Sequence, residues 1–219
     1  MRPATVRREV RLPVRLATGE VVDTRLFTFD GLTDGSEHVV LALGERAAGL
    51  EAGLDAATVA PLVRVHSECL TGDVLGSSRC DCGPQLEEAL VRLHEVGGFL
   101  VYLRQEGRGI GLYNKIDAYA LQELGLDTFA ANLALGFGVD ERSYAVAAQM
   151  LLALGVDRVQ LLTNNPDKAE QLARAGVRVD RCLPTRLHLS PSNGAYLTAK
   201  ARNGHRLPGL PPPGAARAQ

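Results

Sequence analysis

The sequence predicts an α/β fold: a mixed sheet with packed helices, a β-rich N-terminal third, and a single compact domain. Two features point to it. Up to residue 66 the apolar residues fall in short β-leaning runs broken by turn residues, and from Pro84 onward helical spacing alternates with short apolar strands. Neither an internal repeat nor an interdomain linker interrupts the 219 residues.

Strands are expected at 10–16, 21–29 and 39–43, separated by turns such as Thr18-Gly19 and Asp30-Gly31, and at 62–66, entered through Pro61. The Ala- and Gly-rich stretch 45–58 stays unassigned. Leu86, Ala89, Leu90 and Leu93 share one helical face with Pro84 in the first turn, and a strand follows at 99–103. Further helices are expected at 113–124, stopped by Gly125, and at 141–154, stopped by Gly155. A strand at 158–162 leads to a fourth helix that Asn165-Pro166 opens and Gly176 ends, and the last strand is expected at 177–179. The domain is assigned to residues 1–205, and the Pro-rich residues 206–219 are expected to form a disordered tail.

Composition narrows the function classes. At 46% hydrophobic and 22% charged residues the chain can bury a core, which excludes disorder throughout. The 24 Lys and Arg offset 25 Asp and Glu, so nothing global favours nucleic acid or a membrane surface, and any anion site has to be local. No apolar run reaches membrane-spanning length and residues 1–15 lack the apolar core of a signal peptide, so a cytoplasmic location is expected. In a reducing compartment Cys69, Cys80, Cys82 and Cys182 read as free thiols or metal ligands rather than disulfides.

Three segments carry chemistry. In Arg64-Val-His-Ser-Glu-Cys-Leu-Thr-Gly-Asp73 and Arg79-Cys-Asp-Cys-Gly83 three cysteines stand at Cys-x10-Cys-x-Cys spacing. Three thiolates suit zinc and leave a position for water, whose pKa zinc lowers from ~15.7 toward ~7. The spacing is not that of common zinc fingers. Cys182 is either a fourth ligand or a buried free thiol, and His66 either a ligand or a strand residue facing with Arg64 and Glu68. In Arg104-Gln-Glu-Gly-Arg-Gly-Ile-Gly-Leu112, glycines 107, 109 and 111 permit close backbone approach to a ligand, and Arg104 and Arg108 suit phosphate. Thr163-Asn-Asn-Pro-Asp-Lys168, at a strand end and helix start, is either an anion site or a plain Asn cap. Asp140 fits an N-cap, and Tyr119 a packed aromatic with its hydroxyl bonded.

Together with Lys115-Ile-Asp-Ala-Tyr-Ala-Leu-Gln, Leu135-Gly-Phe, Asp140-Glu-Arg and Leu161-Leu-Thr-Asn-Asn-Pro, these motifs closely resemble GTP cyclohydrolase II, the family that opens riboflavin synthesis. The resemblance runs from about residue 60 to Lys200. It implies conversion of GTP and water to a 2,5-diamino-6-ribosylamino-pyrimidinone 5'-phosphate, formate and pyrophosphate. Carried over by motif, Cys69, Cys80 and Cys82 hold zinc, and magnesium accompanies the triphosphate. Arg64, Val65, His66, Ser67, Glu68, Gln85, Glu106, Gly107, Arg108, Thr128, Thr163 and Lys168 contact GTP. Asp140 is the proton acceptor, Arg142 the nucleophile toward the α-phosphate or a clamp on it, and Tyr119 a catalytic hydroxyl. A homodimer is implied as well.

The chain departs from the family where Ala130 and Leu133 replace a common carboxylate and a common histidine, and again between Arg186 and Asn193. Two other readings follow: a paralogue that stops at the formylated ring-opened intermediate, which retention of Tyr119 opposes, and a zinc-stabilised GTP-binding protein without turnover.

Overall fold

The computed structural model describes residues 3–48, 59–138 and 140–210. Its centre is a seven-stranded mixed sheet in the order β1-β2-β3-β5-β4-β6-β7. The strands are β1 (Thr5–Arg15), β2 (Val21–Asp30), β3 (Val39–Leu43), β4 (Leu62–Ser67), β5 (Gly98–Leu103), β6 (Arg158–Leu162) and β7 (Arg178–Leu183). The first three and β5 pair antiparallel, as short turns permit, whereas β5, β4, β6 and β7 run parallel.

Seven α-helices surround the sheet among the described residues: α1 (Leu70–Asp73), α2 (Cys82–Val96), α3 (Leu112–Glu123), α4 (Thr128–Ala134), α5 (Ala145–Ala153), α6 (Pro166–Arg174) and α7 (Gly194–Arg202). None is long and apolar enough to cross a membrane. Strand alternation distributes the core between two faces. Val63, Val65, Phe99 and Val101 point toward Val146, Ala147, Met150 and Leu151 of α5 and Leu172 of α6. Leu62 and Leu100 point the other way, onto Ala89 and Leu93 of α2. Arg64 and His66 share the parity of Leu62 and so leave the α5 face.

Several boundaries differ from the sequence expectation. Residues 141–144 are not helical, and Tyr144, not Asp140, occupies the N-cap position of α5. Tertiary bonds take that turn instead: Glu141 N–H donates to the Arg108 carbonyl at 3.0 Å, and Tyr144 N–H to Gln171 Oε1 at 2.8 Å. The last strand runs over Arg178–Leu183 rather than 177–179, because parallel pairing with β6 extends it. Cys182 lies within it and is exposed, not buried.

Helices α1, α4 and α7 were not expected; the first and second are short, and α4 is set by Asp127, whose side chain accepts from the N–H groups of Phe129 and Ala130 at 2.9 Å. Of the unassigned stretch, Gly44–Ala48 forms a 3-10 turn and 49–58 lie outside the described residues. In the expected tail, Arg206 N–H donates to the Asn164 carbonyl at 2.8 Å, and 211–219 lie outside the described residues.

Candidate active site

A cleft opens at the carboxyl ends of β4, β5 and β6, where parallel α/β sheets bind ligands. From β4 the chain passes to β5 on one side and later to β6 on the other, so the strands diverge there and leave a crevice. The loops after these three strands contain the three segments that carry chemistry: 67–73, 104–109 and 163–168.

The cysteines converge in this cleft. Cys69 precedes α1 and Cys82 opens α2, and the Sγ atoms of Cys69, Cys80 and Cys82 lie within 4.8 Å of one another. Two glycines let the cysteine-bearing segments approach so closely. A Cβ on Gly72 would stand 2.8 Å from Cys80 Sγ and 3.1 Å from Cys69 Sγ, and one on Gly83 would stand 2.5 Å from the Gly72 carbonyl oxygen. Cys182 is not part of the cluster.

Charge around the thiols is balanced by buried partners. Lys115 Nζ donates to Cys69 Sγ at 3.1 Å and to Glu106 Oε1 at 2.7 Å, and the other oxygen of Glu106 accepts from Leu70 N–H at 2.6 Å. Hydrogen bonds from Cys80 and Cys82, with Lys115 adding its charge, hold the Cys69 thiol well below its ordinary range. The reciprocal contact with Cys69 and burial push Cys80 up to about 11. Asp73 organises the opposite side. It accepts from Cys69 N–H at 3.1 Å and from the Tyr102 hydroxyl at 2.8 Å, and lies 3.1 Å from His66 Nε2. Burial pushes the His66 imidazole below its usual value, so it is neutral at pH 7.

Cations gather deeper in the cleft although the chain is nearly neutral overall. Arg64 donates to Gln85 Oε1 at 2.8 Å and to the Leu162 carbonyl at 3.1 Å, leaving its buried Nε without a partner. Arg108 is a non-glycine residue at φ 62°, between Gly107 at 63° and Gly109 at 92°. Such a conformation costs about 1–3 kcal/mol. It turns the guanidinium over the Phe129 ring, 3.9 Å from its centroid, with Nη1 buried and unpartnered. Arg142 grips Asp140 through Nε at 2.8 Å and Nη2 at 2.5 Å. Burial disfavours that guanidinium charge, yet Asp140 outweighs burial and holds it more firmly protonated than usual. Lys168 reaches the Val65 carbonyl at 2.7 Å. Burial, reinforced by Arg64, Arg142 and Lys200, drives its pKa well below the lysine range. A polyanion entering here meets donors whose water has already been removed.

Of the residues to which the family resemblance assigns a role, the cleft brings together all but two. The Val65 side chain is in the core at 1% exposure, and Asp140 stands behind Arg142. Arg104 turns outward to Glu68, 2.8 Å away. Asn165 caps α6 by accepting from Asp167 N–H at 3.0 Å, as a plain Asn cap would, while Thr163 and Lys168 still line the cleft. Tyr119 also lines it, its hydroxyl 3.3 Å from Thr71 Oγ1 and Arg79 stacked 4.6 Å from its ring centroid. Lys115, Tyr196, Lys200 and His205 belong to the wall but were not singled out as site residues. Lys115 stood inside a quoted motif and Lys200 at the end of the resemblance, and their apolar stems gave no sign of direction. Neither Ala130 nor Leu133 faces the cleft; their neighbours Thr128 and Asn132 do.

Comparison with known proteins agrees with this geometry. The family profile described as GTP cyclohydrolase II matches residues 7–184. A GTP cyclohydrolase-2 of Vibrio cholerae is 48% identical over 202 residues, covering 91% of this chain and 98% of its own length. One from Aliivibrio fischeri strain MJ11 is 47% identical over 200 residues, 90% of this chain and 96% of its own. One from Cronobacter sakazakii is 49% identical over 189 residues, 85% and 91% of the two chains. With the cysteine cluster and the cation-lined cleft at the strand ends, these matches establish that the chain belongs to the GTP cyclohydrolase II family.

Proposed function

We propose that this enzyme converts GTP and water to 2,5-diamino-6-(5-phosphoribosylamino)pyrimidin-4(3H)-one, formate and pyrophosphate, with zinc held by Cys69, Cys80 and Cys82 and magnesium accompanying the triphosphate. The observation that carries it is the meeting of three sulfur donors and the buried cations in one cleft. The donor set suits zinc: three soft ligands, a lysine against one of them, and a glycine where any side chain would intrude. Zinc there supplies Lewis acidity and activates water at neutral pH.

The remaining roles fall to side chains of the chain itself. Arg64, Arg108 and Arg142 are positioned to neutralise the triphosphate without help from net charge, with the Lys168 amine beside them as a further donor. Tyr119, whose pKa burial raises further, stays protonated and can donate to a leaving ring nitrogen or to the formamide oxygen. The Arg142–Asp140 pair supports Arg142 as a clamp on the α-phosphate: a guanidinium gripped at two atoms by a carboxylate has no free lone pair to attack with. Burial works against the Asp140 charge, but its bonds to Arg142 hold the carboxyl below the usual range, so it is ionised, as the proton-acceptor role implied by the family resemblance requires.

Retention of Tyr119 in the cleft opposes arrest at the formylated stage, and the position of Ala130 and Leu133 outside the cleft lining opposes the binding-only reading. Family resemblance extends the proposal to a cytoplasmic homodimer. The decisive experiment incubates zinc-loaded protein with GTP and magnesium and follows the pyrimidine chromophore together with formate. One formate per GTP is expected; bound GTP with no spectral change overturns turnover, and ring opening without formate overturns the full reaction.

A further inference from the structure

The family profile ends at residue 184, and part of the cleft wall is built after it, in the stretch that holds α7. Helix α7 buries Leu197 and Ala199 and turns Tyr196 and Lys200 toward the start of α2. Lys200 Nζ donates to Asp81 Oδ1 at 2.7 Å, and its ammonium lies 4.8 Å from the Tyr196 ring centroid. Asp81 sits between Cys80 and Cys82 at the N-cap position of α2 without capping it. Its other oxygen accepts from Gln85 Nε2 at 2.5 Å; Gln85 Oε1 accepts in turn from Arg64 Nη2 at 2.8 Å. All four side chains are buried.

This chain of bonds has one possible direction. A carboxylate only accepts, so Asp81 must face the NH2 end of the Gln85 amide. That leaves the amide oxygen for Arg64, which only donates. The arrangement starts from a buried carboxylate, and a buried carboxylate requires a cation. Among the described residues Lys200 is the cation in salt-bridge contact with Asp81. Without it, Asp81 would compete for Arg64 or draw in water, and the Gln85 amide would lose the reason for its orientation.

We propose that Lys200 is a positioning residue for nucleotide binding: through Asp81 it sets the Gln85 amide and thereby the Arg64 guanidinium. This rests on the reading that Gln85 and Arg64 contact GTP. The test is calorimetric titration of the full-length, zinc-loaded protein with a non-hydrolysable GTP analogue and magnesium, with metal content and circular dichroism measured alongside. Lys200→Met is expected to weaken analogue binding by about 10-fold or more with zinc content unchanged, as loss of a supporting contact does. Lys200→Arg is expected to restore binding, because it keeps a charged donor. Lys200→Met combined with Gln85→Ala is expected to be no worse than the weaker single variant, since both break one chain.

Wild-type affinity in Lys200→Met, additive losses in the double variant, or loss of zinc from Lys200→Met would each overturn the proposal. If Lys200→Met does not fold, Asp81→Asn/Lys200→Met removes both buried charges and is read the same way: weakened binding supports the proposal and unchanged binding overturns it. A wild-type protein that fails to bind the analogue overturns the functional reading itself, and this inference with it.

Discussion

The Lys115 ammonium lies 3.1 Å from Cys69 Sγ, tying α3 to the thiol cluster, and the same nitrogen holds Glu106 at 2.7 Å. Replacing Lys115 by Met would leave Glu106 buried without its cation and remove the charge that favours the Cys69 thiolate. Zinc affinity is expected to fall about 10- to 100-fold, the usual cost of losing a group that supports a ligand. Competition with a chromogenic chelator measures it, and wild-type affinity would remove Lys115 from the site.

Gly72→Ala tests the tightness of the cluster. Its Cβ would stand 2.8 Å from Cys80 Sγ, inside van der Waals contact, so the sulfur has to move. We expect zinc content well below one per chain by elemental analysis, with formate release lost in proportion. Cys80→Ser is expected to lose both completely, and a fully active, zinc-replete Cys80→Ser protein would refute a three-thiolate site.

Arg142→Lys keeps the charge but not the planar fork that meets Asp140 at two atoms. If Arg142 clamps the α-phosphate, kcat/KM is expected to drop roughly 10²- to 10³-fold with zinc retained. Steady-state kinetics on GTP gives the value.

Tyr119→Phe removes a hydroxyl and little volume. It is expected to bind GTP normally while kcat falls about 10²- to 10⁴-fold, the range for loss of a general acid. Parallel assays of pyrophosphate and formate locate the blocked step: formate should fall more than pyrophosphate.

The nucleotide-free protein is expected to lose stability in mild acid. Burial, with Lys200, Arg142 and Lys168 nearby, pushes the His205 imidazole down to about 3 from its ordinary 6.5. Between those values the unfolded chain holds one proton that the folded chain does not, so stability falls as pH drops through that window and is unaffected above it. Because His205 is only partly buried, the slope should stay below the ~1.4 kcal/mol per pH unit that one proton permits. Thermal melts from pH 7 to pH 4 should show a shallower decline in His205→Gln, and parallel curves would exclude His205 as a source.

The parts of the site legible in the chain are those written in contiguous residues. The spacing of Cys80 and Cys82, the glycine run at 107–111 and the Asn165-Pro166 helix start each depend on neighbours within a few positions, and each stands where expected. The third helix starts four residues later than expected because Asp140-Glu-Arg reads locally as a capped first turn, whereas Arg142 is pulled back onto Asp140 and Glu141 onto the Arg108 backbone. Short-range preference of about 1 kcal/mol at a cap yields to the backbone bonds that Glu141 and Tyr144 make to Arg108 and Gln171.

Alternation and helical spacing were enough to specify a mixed sheet with packed helices, because burying an apolar stripe depends on residues two to four apart. Which polar groups share the cleft was settled by packing across long separations. Asp81 and Lys200 are 119 residues apart and meet only because α7 docks its apolar side against the domain. Lys115 and Cys69, 46 residues apart, meet only because α3 folds over the thiol cluster. A long lysine stem carries no mark of its destination in the chain, and its direction follows from the surfaces that close around it.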